Sequence, residues 1–199
     1  LAESEFYTDT IFHRVVNNFV IQGGDPLGTG QGGSTLGDFD DQFHVDLQHN
    51  RTGLLSMAKT TDDTNDSQFF ITEDSTRHLD FNHSIFGVMT EGEEVRAAIS
   101  DVPTDEGSVP LTPVVLHEVE IFEDLENGVL MLSAAEGSSG TATITVTVTD
   151  SLGNQASRSF QATAVTDLSP NANGNPFLDD IAPVRIEANS VASIPRSES

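Results

Sequence analysis

Arg14 stands in the first arm of an apolar hairpin, FHRVVNNFVIQGG (residues 12–24), and Gln22 stands near the end of the second arm. A guanidinium keeps its charge, so its place among valines, isoleucines and phenylalanines calls for an acceptor, water or a ligand. Two further segments gather the other unusual polar residues, GLLSMAKTTDDTNDSQFFIT (53–72) and HLDFNHSIFG (78–87). Within SQFFI, strand alternation sets Gln68 and Phe70 on one face and Ser67 and Phe69 on the other. An amide beside an aromatic ring suits an apolar pocket with a polar rim. Phe19, Met57, Phe70 and Leu79 would form its wall, and Arg14, Gln22, Gln68 and His83 its donors.

Other chemistries fit these residues less well. The histidines (His13, His44, His49, His78, His83 and His117) show no close paired spacing of a zinc motif, and there is no cysteine to supply a thiolate or a disulfide. No metal and no cofactor is expected. GTGQGG (28–33) has the look of a phosphate loop, but no Gly-Lys-Ser/Thr follows, so it reads as a flexible loop beside a groove. TTDDTND (60–66) lacks the full EF-hand pattern and reads as a solvated loop.

The elements that must position these residues are short. TIFHRVV, FVIQGG, GLLSMA, SQFFIT, SIFGVM and VVLHEVEIF are rich in β-branched or aromatic residues and several are bounded by Gly, Asn or Asp, which predicts a mainly antiparallel β fold. Asn17-Asn18 reads as a tight turn between two strands. EGEEVRAAIS (91–100) predicts one helix with Val95, Ala98 and Ile99 on its apolar face and acidic residues in its first turn. After Phe122 the character changes. GTATITVTVTD alternates strictly, DSLGN turns the chain into QASRSFQATAV, and NGVLMLSAA before them reads as a third strand. The expected organisation is therefore a first domain over 1–122, part of a β-sandwich repeat over 123–167, and a Pro/Asn/Gly linker with the opening of a further repeat over 168–199.

A net charge of −24, from 32 acidic against 8 basic residues, argues against nucleic acid or an anionic membrane surface as a partner. No apolar run approaches the length of a membrane span. Oligomeric state is not legible in the sequence.

FHRVVNNFVIQGGDP…GTGQGG, LLSMA, NDSQFFIT and LDFNHSIFGVMTEG, in this order and spacing, resemble the signature segments of the cyclophilin-type peptidyl-prolyl cis-trans isomerases from about Phe6 to Phe122. The resemblance implies an eight-stranded antiparallel β-barrel capped by helices, with a substrate groove on its outside. It also implies an isomerase acting on proline-containing peptides and unfolded proteins. Arg14, Gln22 and Phe70 would be the catalytic residues, and Phe19, Val20, Ala58, Lys59, Gln68, His78, Leu79 and His83 would line the groove. The family's first two strands and first helix have no counterpart here, so the barrel is expected to be incomplete at its N-terminal side. Val20 stands where many members have methionine, Lys59 where many have asparagine, and His78 where the best-studied members have tryptophan. Tryptophan's absence implies weak binding of cyclosporin. An ideal two-residue turn at Asn17-Asn18 would set Arg14 on the face opposite Gln22, so a shared site requires a bulge or a distorted turn there. The Thr-rich hairpin resembles the cadherin-like and immunoglobulin-like repeats of long bacterial surface proteins, which implies an extracellular, cell-surface or periplasmic location. The second functional reading is a Pro-peptide-binding or adhesion module with little turnover.

Overall fold

The computed structural model describes residues 1–124, 128–130, 132–135 and 138–166, together with the backbone of Phe177–Leu178. These residues fall into two compact units, 1–130 and 132–166 with 177–178. In chain order the first unit contains β1 (Thr10–Ile11), β2 (Arg14–Val16), β3 (Val20–Gly23), β4 (Leu54–Met57), β5 (Phe69–Thr72), β6 (Ile85–Val88), α1 (Glu93–Ser100) and β7 (Val115–Leu116). Short 3-10 turns occupy Ala2–Ser4 and Arg77–Leu79. Each apolar run of the first unit thus contains a strand, as its β-branched and aromatic content dictates.

Strands β2-β3-β5-β4-β6 form one antiparallel sheet in that order, and β1 pairs with β7 in a second, two-stranded one. A closed barrel is not found among the described residues. β2 and β6 are the two ends of the sheet and do not pair with each other, so the sheet stays open. The outer edge of β2 is instead met by the segment before β7, where Val15 N donates to Ser108 O at 2.8 Å, and between β1 and β2 Phe12 N donates to Val114 O at 3.0 Å.

Alternation along the strands separates two apolar layers. Phe12, Val15 and Ile21 are buried together, with Phe69, Ile71, Ile99, Val102, Val114 and Leu116 packed against them. On the opposite face Val20, Phe70 and Leu79 form a second cluster with Phe19 and Ala58. Neighbours in β5 therefore part company, Phe69 to the first layer and Phe70 to the second.

The helix forms where expected and Ile99 of its expected apolar face packs inward, but the other two residues of that face do not. Val95 is 57 % exposed and Ala98 is exposed, while Arg96 and Ser100 are buried. Arg96 pairs with Glu73, which follows β5, and with Glu93 one turn earlier. A doubly paired guanidinium can be buried where an unpaired one cannot, and that long-range pairing overrides the apolar pattern of the helix itself.

In the second unit β8 (Gly140–Thr149) and β9 (Gln155–Val165) form a hairpin with every residue from Gly140↔Ala164 to Thr149↔Gln155 in register. Its turn is held by Asp150, whose Oδ1 accepts from Leu152 N at 2.9 Å and from Asn154 N at 2.8 Å. Ile144, Val146 and Val148 are half-buried and the intervening threonines exposed. The third strand is not in 128–135, whose described residues carry no regular structure; it is β10 (Phe177–Leu178), antiparallel to β9. A second sheet facing this one is not found among the described residues, so the expected sandwich is a single three-stranded sheet here. Apart from Phe177–Leu178, the expected linker and further repeat over 168–199 lie outside the described residues. Among the described residues no helix is long and apolar enough to cross a membrane.

Candidate active site

The hairpin loop decides whether Arg14 and Gln22 can meet. It holds three residues, Asn17, Asn18 and Phe19, because Val16 pairs with Val20. Asn18 takes the left-handed conformation at φ 57°, and Phe19 N donates to Val16 O at 3.0 Å. A three-residue loop of this kind shifts the register by one relative to the expected two-residue turn. Arg14 therefore lies directly across from Gln22, on the same face, and no further bulge is required.

From that register a directed chain of hydrogen bonds follows. Arg14 Nη1 donates to Gln22 Oε1 at 3.4 Å, Gln22 Nε2 donates to Gln68 Oε1 at 3.0 Å, and Gln68 Nε2 donates to Gly32 O at 2.8 Å. Each amide has its oxygen toward the arginine and its nitrogen away from it. The guanidinium carbon lies 5.6 Å from the centre of the Phe19 ring. Its charge is thus met by an amide oxygen and an aromatic face rather than a carboxylate, and it retains donors to give.

The loop that supplies Gly32 O is pinned, in contrast to the flexible loop expected at 28–33. Asp25 has no exposed surface. Its carboxylate accepts from Leu27 N at 2.7 Å, Thr29 N at 2.9 Å, Gly30 N at 2.6 Å and Gln31 N at 3.1 Å. Burial pushes the Asp25 pKa up, but the backbone donors outweigh it and bring the pKa down to about 2. A Cβ at Gly32 would collide with Asp25 Oδ1, so glycine is dictated there by close approach.

The apolar side of the site is the cluster of Val20, Phe70 and Leu79 with Phe19 and Ala58. Val20 is 2 % exposed and forms its floor. His78 is exposed and stacks on Phe19, with ring centres 5.5 Å apart and an interplanar angle of 18°. His83 meets Phe70 edge-on at 5.4 Å. Its Nδ1 lies 2.9 Å from Met57 O, which can only accept, so that nitrogen carries the proton. Burial holds the His83 pKa below the ordinary histidine value. A neutral His83 therefore presents Nε2 as an acceptor, in place of the donor expected from the sequence.

Lys59 is placed differently from the other groove candidates. Its side chain is 3 % exposed, its ammonium pairs with Asp41 and, at 3.3 Å, with Asp62, and it lies 5.9 Å from the Phe43 ring centre. Burial alone would lower the Lys59 pKa, and the two carboxylates raise it instead. The ammonium thus ties the segment around Asp41 to the loop after β4, and what remains accessible at Lys59 is main chain. The sequence reading missed His49, Ser56 and Asp80, which lie buried behind Phe70. The one local signal was a hydroxyl, Ser56, inside the apolar run GLLSMA.

Residues 1–121 match the family described as Cyclophilin type peptidyl-prolyl cis-trans isomerase/CLD. The chain is similar to peptidyl-prolyl cis-trans isomerase ppi1 of Schizosaccharomyces pombe, 48 % identical over 116 residues that make up 57 % of this chain and 75 % of the relative. It is likewise similar to peptidyl-prolyl cis-trans isomerase-like 2 of Rhizopus delemar, 41 % identical over 126 residues, 62 % of this chain. The chain spans only 24 % of the length of that relative. Among solved structures it resembles a Cryptosporidium parvum cyclophilin-type peptidyl-prolyl cis-trans isomerase in the presence of the dipeptide Ala-Pro. That likeness has a TM-score of 0.60 and 38 % identity, covering 62 % of this chain and 81 % of that one.

Proposed function

Since the chain belongs to the cyclophilin-type peptidyl-prolyl cis-trans isomerases through residues 1–121, we propose that it accelerates rotation about X-Pro bonds in protein substrates, with Arg14 as the catalytic donor. The reaction breaks no bond. Its barrier of about 18–20 kcal/mol is the resonance of the peptide group. A donor aimed at the prolyl nitrogen favours a pyramidal nitrogen whose lone pair no longer conjugates with the carbonyl, which stabilises the twisted transition state over either planar ground state. Rotation of this kind calls for no metal, nucleophile or nucleotide.

The observation that carries the reading is the directed chain from Arg14 through Gln22 and Gln68 to Gly32 O, set beside the apolar cluster around Phe70. Gln22 is oriented by Gln68 so that its oxygen holds one arm of the guanidinium, leaving other N–H groups for the substrate. Phe19, Val20, Ala58, Phe70 and Leu79 grip the pyrrolidine ring while the carbonyl side turns. Gln68, His78, His83 and the main chain at Lys59 border the peptide. The substrates are proline-containing peptides and unfolded proteins, and the relative studied with Ala-Pro supports that class. Assistance to the folding of exported proteins, outside the cytoplasm, belongs to the same reading. It is supported by the Thr-rich hairpin over 140–165, and recovery of the protein in the cytosolic fraction alone contradicts it.

Two-dimensional exchange NMR of an Ala-Pro-containing peptide with substoichiometric protein tests the function. Cis–trans exchange peaks that appear only when the protein is added are the expected result. Peptide binding with no exchange would make the chain a binding module instead.

A further inference from the structure

Behind the pocket lies a polar layer that the proposed reaction does not use. His49 and Ser56 have no exposed surface and Asp80 is 6 % exposed. His49 Nδ1 lies 3.2 Å from Asp80 Oδ1, and Nε2 lies 3.0 Å from Ser56 Oγ. Burial pushes the Asp80 pKa up, but hydrogen bonds from His49 and Arg77 outweigh it and leave the pKa below the ordinary carboxylate range. An ionised carboxylate only accepts, so Nδ1 donates to Asp80 Oδ1, and Nε2 shares a hydrogen bond with the Ser56 hydroxyl. The order Asp, His, Ser is that of a nucleophile relay. Ser56, however, is fully buried and lies in register with Phe70 across β4 and β5, so no substrate carbonyl reaches its Oγ.

What His49 does touch is the pocket wall. Its ring stacks on Phe70, centres 6.0 Å apart and planes 25° apart. Its main chain holds the turn that carries Leu79 at both ends: Thr76 N donates to His49 O at 2.8 Å, and His49 N donates to Asp80 Oδ1 at 2.6 Å. One residue thus joins the two walls that face the prolyl ring, Phe70 by its ring and Leu79 through the turn. A fully satisfied buried network is rigid, and a wall that must stay still while the carbonyl rotates requires rigidity.

We propose that His49 is a positioning residue for the isomerase reaction, locking Phe70 and the Arg77–Leu79 turn into one unit through Asp80 and Ser56. The inference rests on the isomerase reading. Its test is His49→Leu, which keeps bulk and removes both ring nitrogens, compared with Ile99→Ala, which weakens the other apolar layer. Per folded molecule, kcat in His49→Leu is expected to fall about tenfold, with a smaller change in KM and with the Phe70 ring signals broadened or split. Ile99→Ala is expected to lose stability at unchanged kcat. An undiminished kcat and an unchanged Phe70 ring in folded His49→Leu would overturn the proposal. Should that variant not fold, the unmodified chain decides: the 15N signals of the His49 ring must move on saturation with an Ala-Pro peptide, and stationary signals would overturn it. Lack of exchange catalysis by the unmodified chain speaks against the isomerase reading itself. A catalytically active chain whose His49 proves indifferent speaks against this inference alone.

Discussion

At the scale of single residues, the candidate site sets one charge that keeps N–H donors to give beside a buried apolar surface. Arg14 has one arm on Gln22 and its face against Phe19, whereas Phe70 is 4 % exposed and braced by His49 on one side and His83 on another. Phe70→Ala is therefore expected to weaken binding of proline peptides by about 1–3 kcal/mol, since it removes most of one wall of an apolar pocket. Peptide titration by NMR checks this. Equal affinity, with no perturbation near Phe19 or Leu79, would place the pocket elsewhere. These residues were legible in the sequence because their types are costly in a plain strand: an arginine and two glutamines among apolar runs ask for partners. The conduct of Lys59 was not legible. Its partners Asp41 and Asp62 lie 18 and 3 residues away, in loops whose path no local pattern sets.

Elements place those residues, and the three-residue loop of the first hairpin has the largest effect. Either loop length suits two asparagines, which tolerate left-handed conformation at any turn position, so composition could not choose between them. The choice follows from burial: with Val16 opposite Val20, Val15 and Ile21 both enter the first apolar layer, while Arg14 and Gln22 share the other face. Because Asn18 has φ 57°, Asn18→Gly is expected to be tolerated. Asn18→Val should cost about 1–2 kcal/mol of stability, the penalty of a branched side chain in left-handed backbone. Urea unfolding of both variants measures it, and equal stability would mean that the loop is not the αL type described. The strands themselves were readable from alternation and β-branched content. The helix face was readable only at Ile99, because Arg96 is drawn inward by Glu73 from outside the helix. Breaking that pair with Arg96→Met leaves Glu73 buried without its partner, and unfolding free energy is expected to fall by about 3–5 kcal/mol. A loss below about 1 kcal/mol, the range of exposed pairs, would show the pair to be solvated.

Across the whole molecule, buried titratable groups tie stability to pH in a definite direction. Burial holds the pKa of His13 and of His83 below the ordinary value of 6.5, and neither ring nitrogen of His13 has a hydrogen-bond partner among the described residues. The unfolded chain therefore binds these protons first. Their contribution to stability is complete above 6.5 and is lost as pH falls through that value toward the lower folded pKa of each imidazole. Asp25 acts in a lower window: its folded pKa of about 2 lies under the ordinary 3.8, so its contribution holds above 3.8 and disappears as pH falls toward 2. Urea midpoints across this range should decline in two stages on acidification, and a midpoint that rises between pH 7 and pH 5.5 would contradict the neutral, buried state of both histidines. The central claim, that a fixed guanidinium lowers the barrier to X-Pro rotation, is tested most directly by kcat/KM of Arg14→Ala for an Ala-Pro peptide, with folding checked by the same NMR spectrum. A fall of at least about tenfold, or 1.4 kcal/mol of transition-state stabilisation, is expected with the fold unchanged, and Arg14→Lys should recover only part of it because a point charge replaces a planar fork of donors. Undiminished kcat/KM in folded Arg14→Ala would contradict the account.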